Sequence, residues 1–164
     1  MNHGKAEIDM DYNRIVSDNR VEFGQMPPGT FLVGLLSAFD NRLQAVADSF
    51  FEEITWKQFF AIICINLCKE HPTINELSEI MGSSHQNVKQ ILIKLQKKGF
   101  VQMITDEQDK RKQRIILTGN CYEFCERNEA ESRVRLNQMF EGIPEEQIIT
   151  TIQTISQMER NLKK

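Results

Sequence analysis

The stretch from Thr73 to Thr118 constrains the fold most, because it places helix starts, glycine stops and a change of hydrophobic period within a short span. Thr73-x-x-Glu76 is a capping box, in which a hydroxyl and a carboxylate satisfy two orphan backbone donors. It opens a short helix, Ile74 to Met81, which Gly82 ends. Ser83 or Ser84 then caps a longer helix in which Val88, Ile91, Leu92 and Leu95 recur at i, i+3, i+4 and i+7, and Gly99 closes it. After Gly99 the pattern becomes Phe100-Val101-Gln102-Met103-Ile104, then seven polar residues from Asp106 to Lys112, then Gln113 to Thr118. This spacing predicts a β-hairpin with a long charged tip.

Helical periodicity flanks this segment on both sides. From Thr30 to Phe51 apolar residues recur at spacings of one, three and four, which predicts a helix covered on more than one side. Thr55 caps a second helix through Trp56, Phe59, Phe60, Ile63 and Leu67, expected to stop near His71 because Pro72 disfavours helical geometry before it. Two more helices are expected over about 119–141 and 144–162, with Pro144 suited to a first turn and Ile148, Ile152, Ile155 and Leu162 along one edge. The expected fold is therefore mostly α with a small β-hairpin.

A chain of 164 residues with 40% hydrophobic and 26% charged residues has the length of one domain and enough apolar content for a core. Residues 1–28 are polar, end in Met26-Pro27-Pro28 and read as a tail, leaving 29–164 as the folded region. The absence of a basic-then-apolar leader or a bilayer-length apolar run implies a cytoplasmic protein with no membrane partner and reduced thiols.

The net charge of -3 gives no reason to expect a polyanion partner, but its distribution does. Between Ser83 and Arg114, eight basic residues (Lys89, Lys94, Lys97, Lys98, Lys110, Arg111, Lys112, Arg114) face three acidic ones (Asp106, Glu107, Asp109), leaving -8 for the remainder. A short helix, a tight turn, a second helix and a hairpin follow the order of a winged helix-turn-helix, whose second helix enters a DNA major groove. Positive charge gathered on that helix and hairpin is the footprint of a nucleic-acid reader.

A helical wheel turns Gln86, Gln90, Ile93 and Lys97 away from the apolar stripe, with Lys89 and Lys94 on the flanks. Glutamine bonds adenine through N6 and N7, so Gln86 and Gln90 are the expected base readers. Ser83, Ser84, His85 and Asn87 at the helix start, with Lys89 and Lys94, complete the expected DNA-facing set on the helix. At the hairpin tip, Asp109-Lys110-Arg111-Lys112 sets a carboxylate two residues before an arginine, an ion pair that aims the guanidinium at a minor groove or a phosphate.

Gly99-Phe100-Val101, then Asp109-Lys110-Arg111, then Ile116-Leu117-Thr118 resembles the signature of the MarR (multiple antibiotic resistance regulator) family. The order of helices from about Thr30 to Leu162, including Pro144-Glu145-Glu146 at the start of the last one, is similar as well. The resemblance matches Asp109 and Arg111 to the family's wing pair, Ser84 to Lys94 to its recognition helix and Thr118 to the threonine that closes the hairpin. It implies a ligand-responsive repressor acting as a homodimer on a palindromic double-stranded DNA operator. Dimerisation helices at about 30–51 and 119–162, a DNA-binding head at about 55–118 and a small-molecule effector cleft between layer and head are also implied. Gln90, Ile93 and Met103 depart from the family's usual residues, which bears on the operator sequence.

Competing chemistry is weaker. Cys64/Cys68 and Cys121/Cys125 are i, i+4 pairs on predicted helices, so a thiol- or metal-responsive regulator on the same fold is the alternative, although buried cysteine usually acts as a small hydrophobe. A winged helix used as a protein-protein module is another. Trp56, Phe59, Phe60 and Phe39 sit at helical spacing and are expected in the core rather than in a site. No nucleophile with its base, phosphate-cradling glycine loop or convergent carboxylate pair is recognisable, so neither catalysis nor a cofactor is expected.

Overall fold

The computed structural model of the chain describes residues 26–163, so the polar stretch 1–28 lies outside the description apart from Met26, Pro27 and Pro28. The order of elements is α1 (Pro28–Ala47), α2 (Trp56–Leu67), α3 (Ile74–Ile80), α4 (His85–Lys97), β1 (Val101–Thr105), β2 (Gln113–Leu117), α5 (Gly119–Met139) and α6 (Glu145–Leu162). The fold is mostly helical with one antiparallel hairpin, as the sequence pattern predicts. It forms two compact units, one ending at Val46 and the other running from Ala47.

In the first unit, α1 starts at Pro28, whose fixed φ suits a first helical turn. It stops four residues before the expected Phe51. Val33, Phe39 and Val46 are exposed along it, so the expectation of a helix covered on several sides is not met among the described residues.

The second unit is built on the apolar stripe of α4. The Phe50 N–H turns back to the Ala47 carbonyl at 3.0 Å, and Phe51 and Ile54 enter the core from the loop that follows. Thr55 makes the full capping box with Gln58, and Cys68 adopts extended backbone at φ -71 and ψ 134, which ends α2 earlier than Pro72 would require. Around Val88, Leu92 and Leu95 gather Ile62 and Ile65 of α2, Leu77 of α3, Val101 and Ile115 of the hairpin, and Cys121 and Phe124 of α5. Phe124 lies 5.0 Å from the Phe100 ring and 5.6 Å from the Phe51 ring, which ties α5 to the loop before α2 and the turn after α4.

Of the four aromatics expected in the core, only Phe59 packs against it, 4.5 Å from Phe51. Trp56 is half-buried beside Phe59, whereas Phe39 and Phe60 are exposed. Helical spacing places an aromatic on a face, but burial depends on whether another element covers that face. α6 has no buried residue, and Ile149, Ile152 and Leu162 stand exposed on it. No helix among the described residues is long and apolar enough to cross a membrane.

Candidate nucleic-acid interface

Helices α3 and α4 meet through a turn that only certain residues permit. Gly82 takes φ +59, a left-handed conformation in which a side chain would be strained. Ser84 then adopts φ -69 and ψ 147, and its hydroxyl accepts the Asn87 N–H at 3.3 Å, so Ser84 is the cap. Ser83 has a different task, since its hydroxyl accepts the Asn87 side-chain amide at 2.8 Å. Asn87 is therefore held by two serines at the start of the helix.

The stripe Val88, Ile91, Leu92, Leu95 is buried as expected, and this fixes the direction of the opposite face. Ser84, His85, Gln86, Asn87, Lys89, Gln90 and Lys94 are exposed, while Ser83 and Ile93 are half-buried. Ile93, placed on the outer face by the helical wheel, is thus partly covered. Lys89, Lys94 and Lys97 form no ion pair among the described residues, so they offer charge to solvent.

The hairpin pairs Val101 with Leu117 through to Thr105 with Gln113, leaving 106–112 as the tip. Asp106 organises it. Its Oδ1 accepts the Gln108 and Asp109 N–H groups, both at 2.8 Å, while Asp106 N–H bonds the Lys112 carbonyl at 3.0 Å and Lys112 N–H the Asp109 carbonyl at 2.8 Å. Beyond this frame, Arg111 Nε donates to Asp109 Oδ1 at 3.1 Å, the ion pair expected two residues apart, and Lys112 Nζ stands 3.8 Å from Asp109 Oδ2. The Arg111 guanidinium and then its backbone N–H hold the Asp109 carboxyl below the usual carboxylate range. The Arg111 side chain is 90% exposed, and Lys110 is exposed without an ion partner among the described residues.

Arg114, counted with the cations of the basic stretch, proves to be structural. Its Nε donates to Asp106 Oδ2 at 2.5 Å, and its Nη1 reaches the His71 carbonyl at 3.0 Å and Glu76 at 3.3 Å. The Asp106 carboxylate is consequently pulled down to about 2, first by the Arg114 hydrogen bond and then by the Asp109 and Gln108 N–H groups. Glu76 also completes the Thr73 capping box, accepting the Thr73 N–H at 2.7 Å. With Ile115 N–H bonded to the Pro72 carbonyl at 2.9 Å, these contacts fasten the base of the hairpin to the start of α3. Sequence reasoning missed this network because it took Glu76 as a cap and Arg114 as surface charge. The signal lay in the antiparallel register, which brings the ends of a tip running from Asp106 to Lys112 face to face.

The other end of α4 is fastened as firmly. Gly99 turns at φ +74, and Thr118 Oγ1 donates to the Gly99 carbonyl at 2.6 Å while accepting the Cys121 N–H at 3.3 Å. Thr118 thus closes the hairpin and caps α5 with one hydroxyl. A helix buried on one face, fastened at both ends and flanked by a hydrogen-bonded charged finger presents an array of cations and amides to solvent.

Residues 54–112 match the model of the MarR family. They form a MarR family domain. Solved structures extend the likeness of fold beyond the MarR domain. A MarR/EmrR family transcriptional regulator from Acinetobacter sp. ADP1 superposes with TM-score 0.74 at 16% identity, over 84% of this chain and 99% of that one. The S. aureus MepR-DNA complex gives 0.66 at 20% identity, over 78% and 95%. The transcriptional regulator BldR from Sulfolobus solfataricus gives 0.65 at 15% identity, over 81% and 99%. No curated protein sequence matches the chain. The MarR domain spans α2 to the hairpin tip, and so includes α4, Asp109 and Arg111.

Proposed function

We propose that the chain is a sequence-specific double-stranded DNA-binding transcriptional regulator, which acts as a homodimer and represses until an effector binds. The observation that carries this reading is the outward face of α4. Exposed Gln86, Gln90, Lys89 and Lys94 sit on a helix whose other face is locked in the core, next to a finger that projects Lys110 and Arg111. In this reading α4 lies in the major groove, where Gln86 and Gln90 read base edges, and Ser83, Ser84, His85 and Asn87 lie against the backbone at the helix start. Lys89, Lys94, Lys110, Arg111 and Lys112 neutralise phosphates, with Asp109 aiming Arg111. The likeness to a fold captured on DNA in MepR supports the same placement.

Two copies are needed because one head reads only a half-site. Exposed apolar residues on the C-terminal helices, among them Val134, Leu136, Ile149 and Ile152, supply a surface that a second copy would cover. A cleft lined by Ile65, Asn66, Cys68, Lys69, Leu117 and Tyr122 lies where the head meets α5, a position from which a small effector would alter the spacing of two heads. Such a molecule works only by binding one spacing better than the other.

The test is selection of bound duplexes from a random pool. The proposal predicts a recurrent two-fold symmetric motif with half-sites about 10 bp apart. Recovery of unrelated sequences would favour the protein-protein module instead.

A further inference from the structure

The hairpin tip, residues 106–112, extends beyond the last paired strand residues, Thr105 and Gln113, and every residue in it is polar. A polar segment of that length keeps no single direction unless something outside it holds it. Among the described residues, one side-chain contact joins the tip to the body of the head, the Asp106 carboxylate on the Arg114 guanidinium. The other side-chain hydrogen bonds and ion pairs of the described tip residues stay within the tip.

Asp106 uses its two oxygens for different tasks. Oδ2 accepts Arg114 Nε at 2.5 Å, and Oδ1 accepts the Gln108 and Asp109 N–H groups, both at 2.8 Å. Arg114 is held in turn from α3 and the loop before it, donating through Nη1 to the His71 carbonyl at 3.0 Å and to Glu76 Oε2 at 3.3 Å. The same Glu76 oxygen accepts the Thr73 N–H at 2.7 Å and the Thr73 hydroxyl at 3.0 Å, so the cap of α3 and the anchor of the finger share one atom. The Asp106 side chain is 10% exposed and that of Arg114 26%, against 90% for Arg111 at the far end of the same chain of contacts.

We propose that Arg114 and Asp106 are positioning residues that set where the Arg111 guanidinium points; the consequence for binding rests on the duplex reading. The contacts run from Glu76 to Arg114, from Arg114 to Asp106, from Asp106 to the Asp109 backbone, and from the Asp109 carboxylate to Arg111 Nε at 3.1 Å. Each carboxylate in this series is bonded on both sides, so loosening one contact loosens those beyond it. Arg114 thereby acts on the duplex through Arg111 rather than by its own charge.

Charge alone and this relay predict opposite signs for one substitution. Asp106→Asn removes a negative charge from a finger that lies against a polyanion, so electrostatics alone would tighten duplex binding. The relay predicts a loss, because a neutral amide gives up the charge-assisted bond to Arg114 and the tip loses its outside anchor.

The test compares duplex binding by fluorescence anisotropy for the wild type, Asp106→Asn, Arg111→Ala and the double variant, each checked for native circular dichroism. Asp106→Asn is expected to show a large part of the Arg111→Ala loss, and to add no loss when Arg111 is already alanine. In the free protein, the Gln108 and Asp109 amides should exchange with solvent more slowly in the wild type than in Arg114→Gln, as read by NMR. Tighter binding by Asp106→Asn, an equal loss from it in both backgrounds, or exchange unchanged by Arg114→Gln would overturn the proposal. Equal binding by the wild type and Arg111→Ala would instead overturn the duplex reading of the tip, and the amide exchange would still decide whether Arg114 orders it.

Discussion

Arg111 and Asp109 face each other across Lys110 in the hairpin tip, with Nε 3.1 Å from Oδ1, while the guanidinium stays almost wholly in solvent. A surface ion pair of this kind adds little stability, and its effect is to restrict where a mobile cation points. Arg111→Ala is therefore expected to leave the melting temperature nearly unchanged and to weaken binding to all duplexes similarly. Fluorescence anisotropy on several unrelated duplexes checks this, and a loss confined to one sequence would place Arg111 on a base.

Gln90 should behave in the opposite way. It is exposed on α4 one turn beyond Gln86. Gln90→Ala is expected to relax preference at particular base pairs, costing about 1–3 kcal/mol there and little elsewhere. Titrations of single-position operator variants provide the comparison.

The Asp106–Arg114 contact predicts a pH dependence. A carboxyl held to about 2 in the fold, against about 4 in the unfolded chain, contributes stability that is complete above pH 4 and disappears as pH falls through 2. A carboxyl NMR titration should give Asp106 a midpoint near 2 in the wild type, returning toward the ordinary range in Arg114→Ala. An ordinary midpoint in the wild type would mean that the hairpin base is not fastened as described.

Thr118 serves two elements through one hydroxyl, so its loss is felt at both. Thr118→Ala is expected to destabilise the fold by about 1–2 kcal/mol, as an N-cap does, and Thr118→Ser to restore most of it. Chemical denaturation of the three proteins is the check.

Much of this architecture was legible in local sequence chemistry. The caps at Thr55, Thr73 and Ser84, the stops at Gly82 and Gly99 and the period of Val88, Ile91, Leu92 and Leu95 each act within a few residues, and the structure follows them. What was not legible depends on distant partners. Arg114 looks like a free cation until the hairpin register sets it beside Asp106 and the start of α3 sets it beside Glu76. Phe60 looks like a core residue until α2 turns it toward solvent, and the end of α1 at Ala47 cannot be read from a periodicity that continues to Phe51. Of the expected DNA-facing residues, the structure exposes most and gives Ser83 and Asn87 to each other, a pairing that no spacing rule specifies.

The central claim is that the cations of α4 and the hairpin tip lie against phosphates. The most direct measurement is duplex affinity as a function of salt for the wild type, for a Lys89→Ala, Lys94→Ala, Arg111→Ala variant and for Arg133→Ala on α5 as a control. The account predicts a steep fall of affinity with salt in the wild type, a slope reduced by about 1 for each phosphate contact removed in the triple variant, and no change in the control. A flat salt response in the wild type, or equal slopes in all three proteins, would contradict it.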